Sequence, residues 1–84
     1  MTQYKKTYVN VLAYFSPDGS IHPLCIAFEN GTCYLIDRVL RVVTAVSTKA
    51  GGCGMRYTVR ILGKEKYLFM EPDGKWFIER GVQE

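Results

Sequence analysis

The chain reverses direction at two nearly identical tetrapeptides, SPDG at residues 16–19 and EPDG at residues 71–74. In each, proline presets the backbone of the first turn position, aspartate hydrogen-bonds its own backbone, and glycine takes the left-handed conformation. A third signal, Asn30-Gly31, is the pair that two-residue type I′ hairpins prefer. A weaker turn is expected at residues 63–65, and the glycine-rich segment 49–54 is typical of a flexible connection.

The segments between these turns are rich in Val, Ile, Tyr, Phe and Thr, which favour β-strands. They predict six strands, at residues 7–15, 20–29, 32–47, 55–62, 66–71 and 75–79. The third is longer than most strands, so we expect it to bend or bulge near Asp37 and Arg38. A helix over residues 36–46 is the main alternative, and the β-branched density of that segment argues against it.

Together the strands predict an all-β fold, with about six antiparallel strands in a small barrel or strongly bent sheet, because closure removes exposed edges. An 84-residue chain is long enough for one core. We expect a single domain at residues 7–80, between an N-terminal tail (1–6) and a C-terminal tail (81–84). The predicted core residues are Val9, Val11, Phe15, Ile26, Phe28, Leu35, Val59, Ile61, Leu68, Met70 and Trp76. Which parity of the first strand faces inward stays open, since Tyr8-Asn10-Leu12-Tyr14 is nearly as apolar.

Composition limits the class of protein. Eleven Lys and Arg against eight Asp and Glu give a net charge of +3 and a pI of about 8.8, which permits an anionic partner without requiring one. No apolar run is long enough for a signal peptide or a membrane span. Cys25, Cys33 and Cys53 are an odd set without C-x-x-C spacing, whereas small secreted domains pair an even number. We therefore expect a cytoplasmic protein with reduced thiols and no membrane partner.

The Asn30-Gly31 turn, taken as a two-residue hairpin, fixes a register for the strands on either side. One apolar face then carries Ile26, Phe28, Cys33 and Leu35, and the other carries Cys25, Ala27, Tyr34 and Ile36. A strand pair that is apolar on both faces is either buried twice or part of an interface. The second set therefore predicts an interface with another copy, as in a homodimer, or with a protein partner. The same register puts Cys25 and Cys33 on opposite faces, which argues against a disulfide between them.

The fourth predicted strand alternates most clearly, with Arg56 and Arg60 on the face opposite the apolar one. A turn centred on Lys64-Glu65 adds Tyr67 and Phe69 to that face and places Arg60 opposite Phe69. Guanidinium groups interleaved with aromatic rings are how small β-domains stack bases and neutralise phosphates. Arg38, Arg41 and Lys49 extend this basic surface if the third strand lies alongside. These residues predict a face that binds RNA or single-stranded DNA, although the commoner role of an arginine beside a ring is to cover it.

The sequence assembles no catalytic, metal or cofactor site. His22, the single histidine, stands at the start of a strand without partners for acid–base chemistry. Cys53 lies near Lys49, where a basic neighbour would activate a thiolate, but no nucleophile motif accompanies it. The three cysteines and His22 match no zinc spacing, and the glycine-rich segment lacks the G-K-[ST] ending of a P-loop. We expect a non-catalytic binding module and not an enzyme; a small-ligand barrel with Cys53 and Lys49 at its mouth is a less favoured alternative.

Several short strings together resemble a set of small bacterial proteins of unknown function. They are YLIDRVL (residues 34–40), the glycine-rich segment, RYTVR (56–60), GKE (63–65) and WFIE (76–79). The resemblance covers residues 9–79 and implies an all-β fold in a bacterial cytoplasm. It brings no activity, substrate or site residue. The functional predictions therefore rest on the residues themselves, with nucleic-acid binding first and protein interaction or homo-oligomer formation second.

Overall fold

The structure, a computed structural model, describes residues 2–46 and 53–83. Within those ranges, seven antiparallel β-strands form one sheet that curls into a half-barrel. The same ranges contain no helix. The strands are β1 (Thr2–Phe15), β2 (Ile21–Ala27), β3 (Cys33–Leu35), β4 (Arg38–Val46), β5 (Cys53–Ile61), β6 (Lys64–Met70) and β7 (Trp76–Gln83). Their order across the sheet is β3-β2-β1-β7-β6-β5-β4. The predicted all-β class is confirmed, with one strand more than expected.

Three connections are the same five-residue turn, at residues 16–20, 28–32 and 71–75. In each, the first residue accepts a hydrogen bond from the amide of the fourth and donates its own amide to the carbonyl of the fifth. The fourth residue is a glycine with φ of 87–89°. The third is Asp or Asn, whose Oδ1 accepts the amide of the fifth at 2.9–3.0 Å. The predicted turns at 16–19 and 71–74 are confirmed. Asn30 and Gly31 are the third and fourth residues of the same five-residue turn, with Asn in place of Asp. The predicted two-residue hairpin was therefore wrong.

This longer turn moves the β2–β3 register by one residue from the prediction. Ile26 lies opposite Tyr34, and Cys25 lies opposite Leu35. A shift of one residue exchanges the faces of a strand. The predicted interface set is therefore split: Cys25 and Ala27 lie on the convex face, and Tyr34 and Ile36 lie on the core side. Cys25 and Cys33 share the convex face, so the reason given against a disulfide was wrong; both are free thiols.

The long third strand of the prediction is two strands, β3 and β4, at opposite edges of the sheet. The chain crosses between the edges at Ile36 and Asp37, where the bend was expected. The Ile36 amide donates to the carbonyl of Leu24 in β2, and the Asp37 amide donates to the carbonyl of Arg60 in β5, both at 2.8 Å. This corner joins the two edges at one end. Among the described residues no strand pairing joins them elsewhere, so the barrel is half open.

The first part of β1 pairs with the whole of β7, from Thr2 opposite Gln83 to Val9 opposite Trp76. The segments expected to be tails therefore belong to the sheet wherever the structure describes them. In residues 2–46 and 53–83 we find no helix of the length and apolar character needed to span a bilayer.

The core lies on the concave face and is built around Ile26, Tyr57, Val59 and Leu68. The predicted core residues that join it are Val9, Val11, Ile26, Phe28, Val59, Ile61, Leu68, Met70 and Trp76. Val9 and Val11 are therefore the residues of β1 that face inward. Phe15 and Leu35 were wrongly predicted, because both are largely exposed. Leu35 points outward as a result of the register shift, and Phe15 ends β1 beside a turn. A second buried cluster lies on the convex face, where Phe69 and Phe77 stack with ring centroids 4.9 Å apart.

Candidate functional site

The arginine–aromatic face predicted from the sequence lies on the hairpin of β5 and β6, in a different register. Ile61 pairs with Lys64, so the turn is Leu62-Gly63 and not Lys64-Glu65. Both turn residues have positive φ, 52° and 76°, as a type I′ turn requires. The shift is an even number of residues, so each side chain keeps its predicted face but meets a new neighbour. Arg56 lies opposite Phe69, and Arg60 lies opposite Glu65 rather than Phe69.

Packing within this face is close. The guanidinium carbon of Arg56 lies 4.5 Å from the centroid of the Tyr67 ring. Tyr67 meets Phe69 edge to face at 6.5 Å, and Phe69 stacks on Phe77. Phe69 is 6% exposed and Phe77 is 1% exposed, so their ring faces are covered, whereas Tyr67 is 50% exposed. Tyr67 is therefore the ring of this group that a ligand can reach.

The other predicted arginines join the same convex face through β4. Arg38 pairs directly with Arg60, and Arg41 pairs with Thr58. Arg38 and Arg41 are exposed, while Arg56 and Arg60 are partly exposed. Three adjacent strands thus bring these four guanidinium groups and Tyr67 to one surface, which we term the arginine face (Arg38, Arg41, Arg56, Arg60 and Tyr67). Lys49, the remaining cation of the predicted set, lies outside the described residues.

A network of side-chain hydrogen bonds surrounds Glu71, on the convex face just after the end of β6. The Glu71 carboxylate accepts hydrogen bonds from Lys6 Nζ at 2.9 Å and from the Tyr8 hydroxyl at 2.8 Å. These bonds, with that of Lys6 the larger cause, hold the pKa of Glu71 below its ordinary value. The bond to the same carboxylate raises the pKa of Tyr8. Because the Lys6 ammonium also lies 4.9 Å from the centroid of Phe77, the network covers that ring and ties β1 to the turn after β6.

A cleft of about 600 Å³ opens on the concave side, beside the β5–β6 turn. Apolar side chains form its floor: Ile26, Phe28, Ile61 and Ile78. Tyr34 and Tyr67 flank it, and Phe28 meets Tyr34 edge to face at 5.6 Å. Its rim carries Leu62, Lys64, Lys66, Glu79 and Arg80. The cleft therefore joins an apolar floor to a mostly cationic mouth.

The sequence prediction missed the cations of this cleft. Lys64 pairs with Ile61 and Lys66 pairs with Val59, so both lysines point to the concave side. A signal was available, because Lys64 and Lys66 alternate in phase with the core residues Leu68 and Met70. Cations in phase with a buried face indicate that the face opens toward solvent at that end of the strand.

The residues considered for catalysis lie elsewhere. His22 stacks on Tyr14 with ring centroids 4.4 Å apart, and its Nε2 lies 2.8 Å from Ser16 Oγ, beside the first turn. The described residues contain no group of three or more His, Cys, Asp or Glu side chains that could hold a metal ion. Cys53 begins β5, and most of the glycine-rich segment lies outside the described residues. Of the two residues predicted to form a barrel mouth, Lys49 lies outside the described residues, and Cys53 is the first residue of β5.

No family model, no characterised protein and no solved structure matches the chain. The resemblance to small bacterial proteins stays a prediction. The β5–β6 hairpin carries two candidate surfaces, the arginine face outside and the cleft inside.

Proposed function

We propose that this protein is a non-catalytic module that binds single-stranded nucleic acid, RNA or DNA, on the arginine face. The observation that carries the proposal is the pairing of Arg38 directly with Arg60 across β4 and β5. Like charges directly opposite each other destabilise an antiparallel pair. Glu65 faces Arg60 from β6 and offsets part of this repulsion, and a phosphate group seated over the pair would offset more of it.

Tyr67 supplies the second element that a single strand needs. Its half-exposed ring lies one strand away from Arg56 and Arg60, and the Arg56 guanidinium holds it from the side of β5. Stacking of a base on such a ring contributes about 1–3 kcal/mol. Phe69 is buried, so in this proposal it supports Tyr67 and does not contact a base. A bacterial cytoplasm, where thiols such as Cys25 and Cys33 stay reduced, is the location we propose.

Binding of fluorescently labelled oligo(U) and oligo(dT) tests the proposal. Affinity is expected to fall steeply between about 50 and 200 mM salt, because phosphate contacts release counterions. Arg38→Ala and Arg60→Ala are each expected to weaken binding and to lower the slope of log affinity against log salt by about 0.7. Tyr67→Ala is expected to weaken binding about tenfold, with Tyr67→Phe close to wild type.

Two control variants match these changes. Lys66→Ala removes a cation from the same hairpin on its concave side, and Tyr14→Ala removes a ring that is also 50% exposed, near the first turn. Both are expected to bind like wild type. Absence of binding at low salt ends the proposal, as does an equal loss of affinity in the controls.

A second candidate function, protein interaction or homodimer formation, is favoured by a row of apolar side chains on the convex face. Leu12, Cys25 and Leu35 lie directly opposite one another across β1, β2 and β3. Leu12 and Leu35 are largely exposed, and the row ends at β3, an edge strand. Light scattering at increasing concentration tests self-association: a dimer in wild type that Leu35→Lys dissociates supports it, and a monomer throughout excludes the homodimer.

A further inference from the structure

The cleft inside the half-barrel has the dimensions of a small-molecule site. Its volume, about 600 Å³, lies within the range of about 300–1,000 Å³ that such sites occupy. Ile26 is buried, and the partly exposed Ile61 and Ile78 line the cleft with it. Three aliphatic side chains lining one cleft offer a surface that suits an alkyl chain.

Cations surround the mouth of the cleft. Lys64, Lys66 and Arg80 line it, and Lys5 pairs with Arg80 on the same side of the sheet. Glu79 is the carboxylate among the described residues that line it. Lysine stems commonly cover apolar surface while their ammonium groups reach solvent, so an anion at this mouth would meet several positive charges. Low-dielectric walls beneath would strengthen that attraction.

Leu62 gives an independent indication that the mouth contacts a ligand. It is 76% exposed and adopts a left-handed conformation with φ of 52°. Asparagine or glycine would satisfy this turn without strain. A strained backbone that carries an exposed apolar side chain is a feature from which function can be inferred.

We propose that this cleft binds a monomeric anionic amphiphile, an alkyl chain with a single anionic head such as a carboxylate. The chain lies over Ile26, Ile61 and Ile78, and the head contacts Lys64, Lys66 and Arg80. The volume of the cleft suits one chain rather than the surface of a bilayer. Nucleic-acid binding uses the arginine face of the same hairpin, and the two sites share Tyr67, which flanks the cleft.

Titration with laurate tests the proposal by methyl NMR of the isoleucines. The resonances of Ile26, Ile61 and Ile78 are expected to shift. Ile21, which lines a separate cavity near the first turn, is expected to stay unchanged. Dodecyltrimethylammonium, which has the same chain with a cationic head, is expected to bind much more weakly. Affinity is expected to rise by up to about fourfold for each methylene added between octanoate and laurate.

Variants separate the contributions of the head and the mouth. Lys64→Met and Lys66→Met keep most of the apolar stem and are each expected to weaken laurate about threefold to fivefold. Leu62→Asn is expected to weaken laurate and at the same time to raise the thermal unfolding midpoint, since asparagine accepts the left-handed conformation. Arg38→Ala, which weakens nucleic-acid binding in the previous proposal, is expected to leave laurate affinity unchanged, so the two proposals fail separately.

Four results would overturn the inference. They are equal binding of laurate and dodecyltrimethylammonium, shifts centred on Ile21, wild-type laurate affinity in both lysine variants, and isoleucine shifts with phosphatidylglycerol vesicles but not with laurate. The last would assign the cleft to a membrane surface instead of a monomeric ligand.

Discussion

At the scale of single residues, Glu71 connects the turn after β6 to the two β1 residues that contact Phe77. Its two carboxylate oxygens accept hydrogen bonds from Lys6 and Tyr8, two residues of β1 that stand above Phe77. The ion pair with Lys6 is partly shielded from solvent on both sides. A carboxylate held in this way stabilises the fold only while it is ionised.

Replacing Glu71 with Gln keeps the shape of the side chain and removes its charge. The pKa of Glu71 lies below its ordinary value of 4.5 in the folded chain. Its stabilisation is therefore complete above that ordinary value and is lost as the pH falls through the folded pKa. Glu71→Gln is expected to lower the thermal unfolding midpoint at neutral pH, and the difference from wild type is expected to vanish in acid.

Thermal unfolding from neutral pH into acid checks the prediction, with Glu29→Gln, a change at an exposed carboxylate in the turn at residues 28–32, as the control. A difference between Glu71→Gln and wild type that stays constant from neutral pH into acid would contradict the assigned role. Tyr8→Phe removes one of the two hydrogen bonds and is expected to give a smaller decrease at neutral pH.

At the scale of elements, the turns decide how much of the fold the sequence predicts. SPDG and EPDG specify their turns because proline, aspartate and glycine each meet a separate requirement of the same geometry. Asn30-Gly31 suits two turn types, and the side chain of Asn30 selects the longer one by accepting the Thr32 amide. That choice moves the register by one residue and exchanges the faces of β3. Leu62 follows no sequence rule, since bulky residues rarely adopt positive φ.

The same reasoning explains which parts of the arginine face could be predicted. The alternation of β5 and β6 places Arg56, Arg60 and Tyr67 on one face in any register of the correct parity. The residues that lie opposite them depend on the turn, so the predicted pairing of Arg60 with Phe69 was wrong. The pairing of Arg38 with Arg60 depends on the chain crossing between sheet edges at Asp37, which is a property of the closed end of the half-barrel and not of a local pattern.

Gly54 offers a test of how closely β5 and β6 approach. Its φ is 147°, and a Cβ there would overlap the carbonyl oxygen of Met70. Gly54→Ala is expected to destabilise the chain by at least about 2 kcal/mol, because both the overlap and the backbone conformation are unfavourable. Gly63→Ala, where φ is 76° and nothing lies within 4 Å of the added carbon, is expected to cost only about 1 kcal/mol. Equal losses in urea unfolding would contradict the described contact.

At the scale of the whole molecule, the half-barrel separates two surfaces by the thickness of one sheet. The convex arginine face spans β4, β5 and β6, and the concave cleft opens beneath the same β5–β6 hairpin. Alternation assigns neighbouring residues such as Arg60 and Ile61 to different faces. Substitutions on one surface can therefore serve as controls for the other.

We propose that the Arg38–Arg60 pair is an anion site and not a structural contact. Thermal unfolding of Arg38→Gln with and without oligo(U) tests this claim. Without oligo(U), the variant is expected to unfold about 1–3 °C above wild type, because a like-charge pair has been removed. With oligo(U), the rise in midpoint seen for wild type is expected to be smaller in the variant, because the ligand binds its folded state less tightly. A variant that unfolds below wild type without oligo(U), or one that oligo(U) stabilises as much as wild type, would contradict the claim.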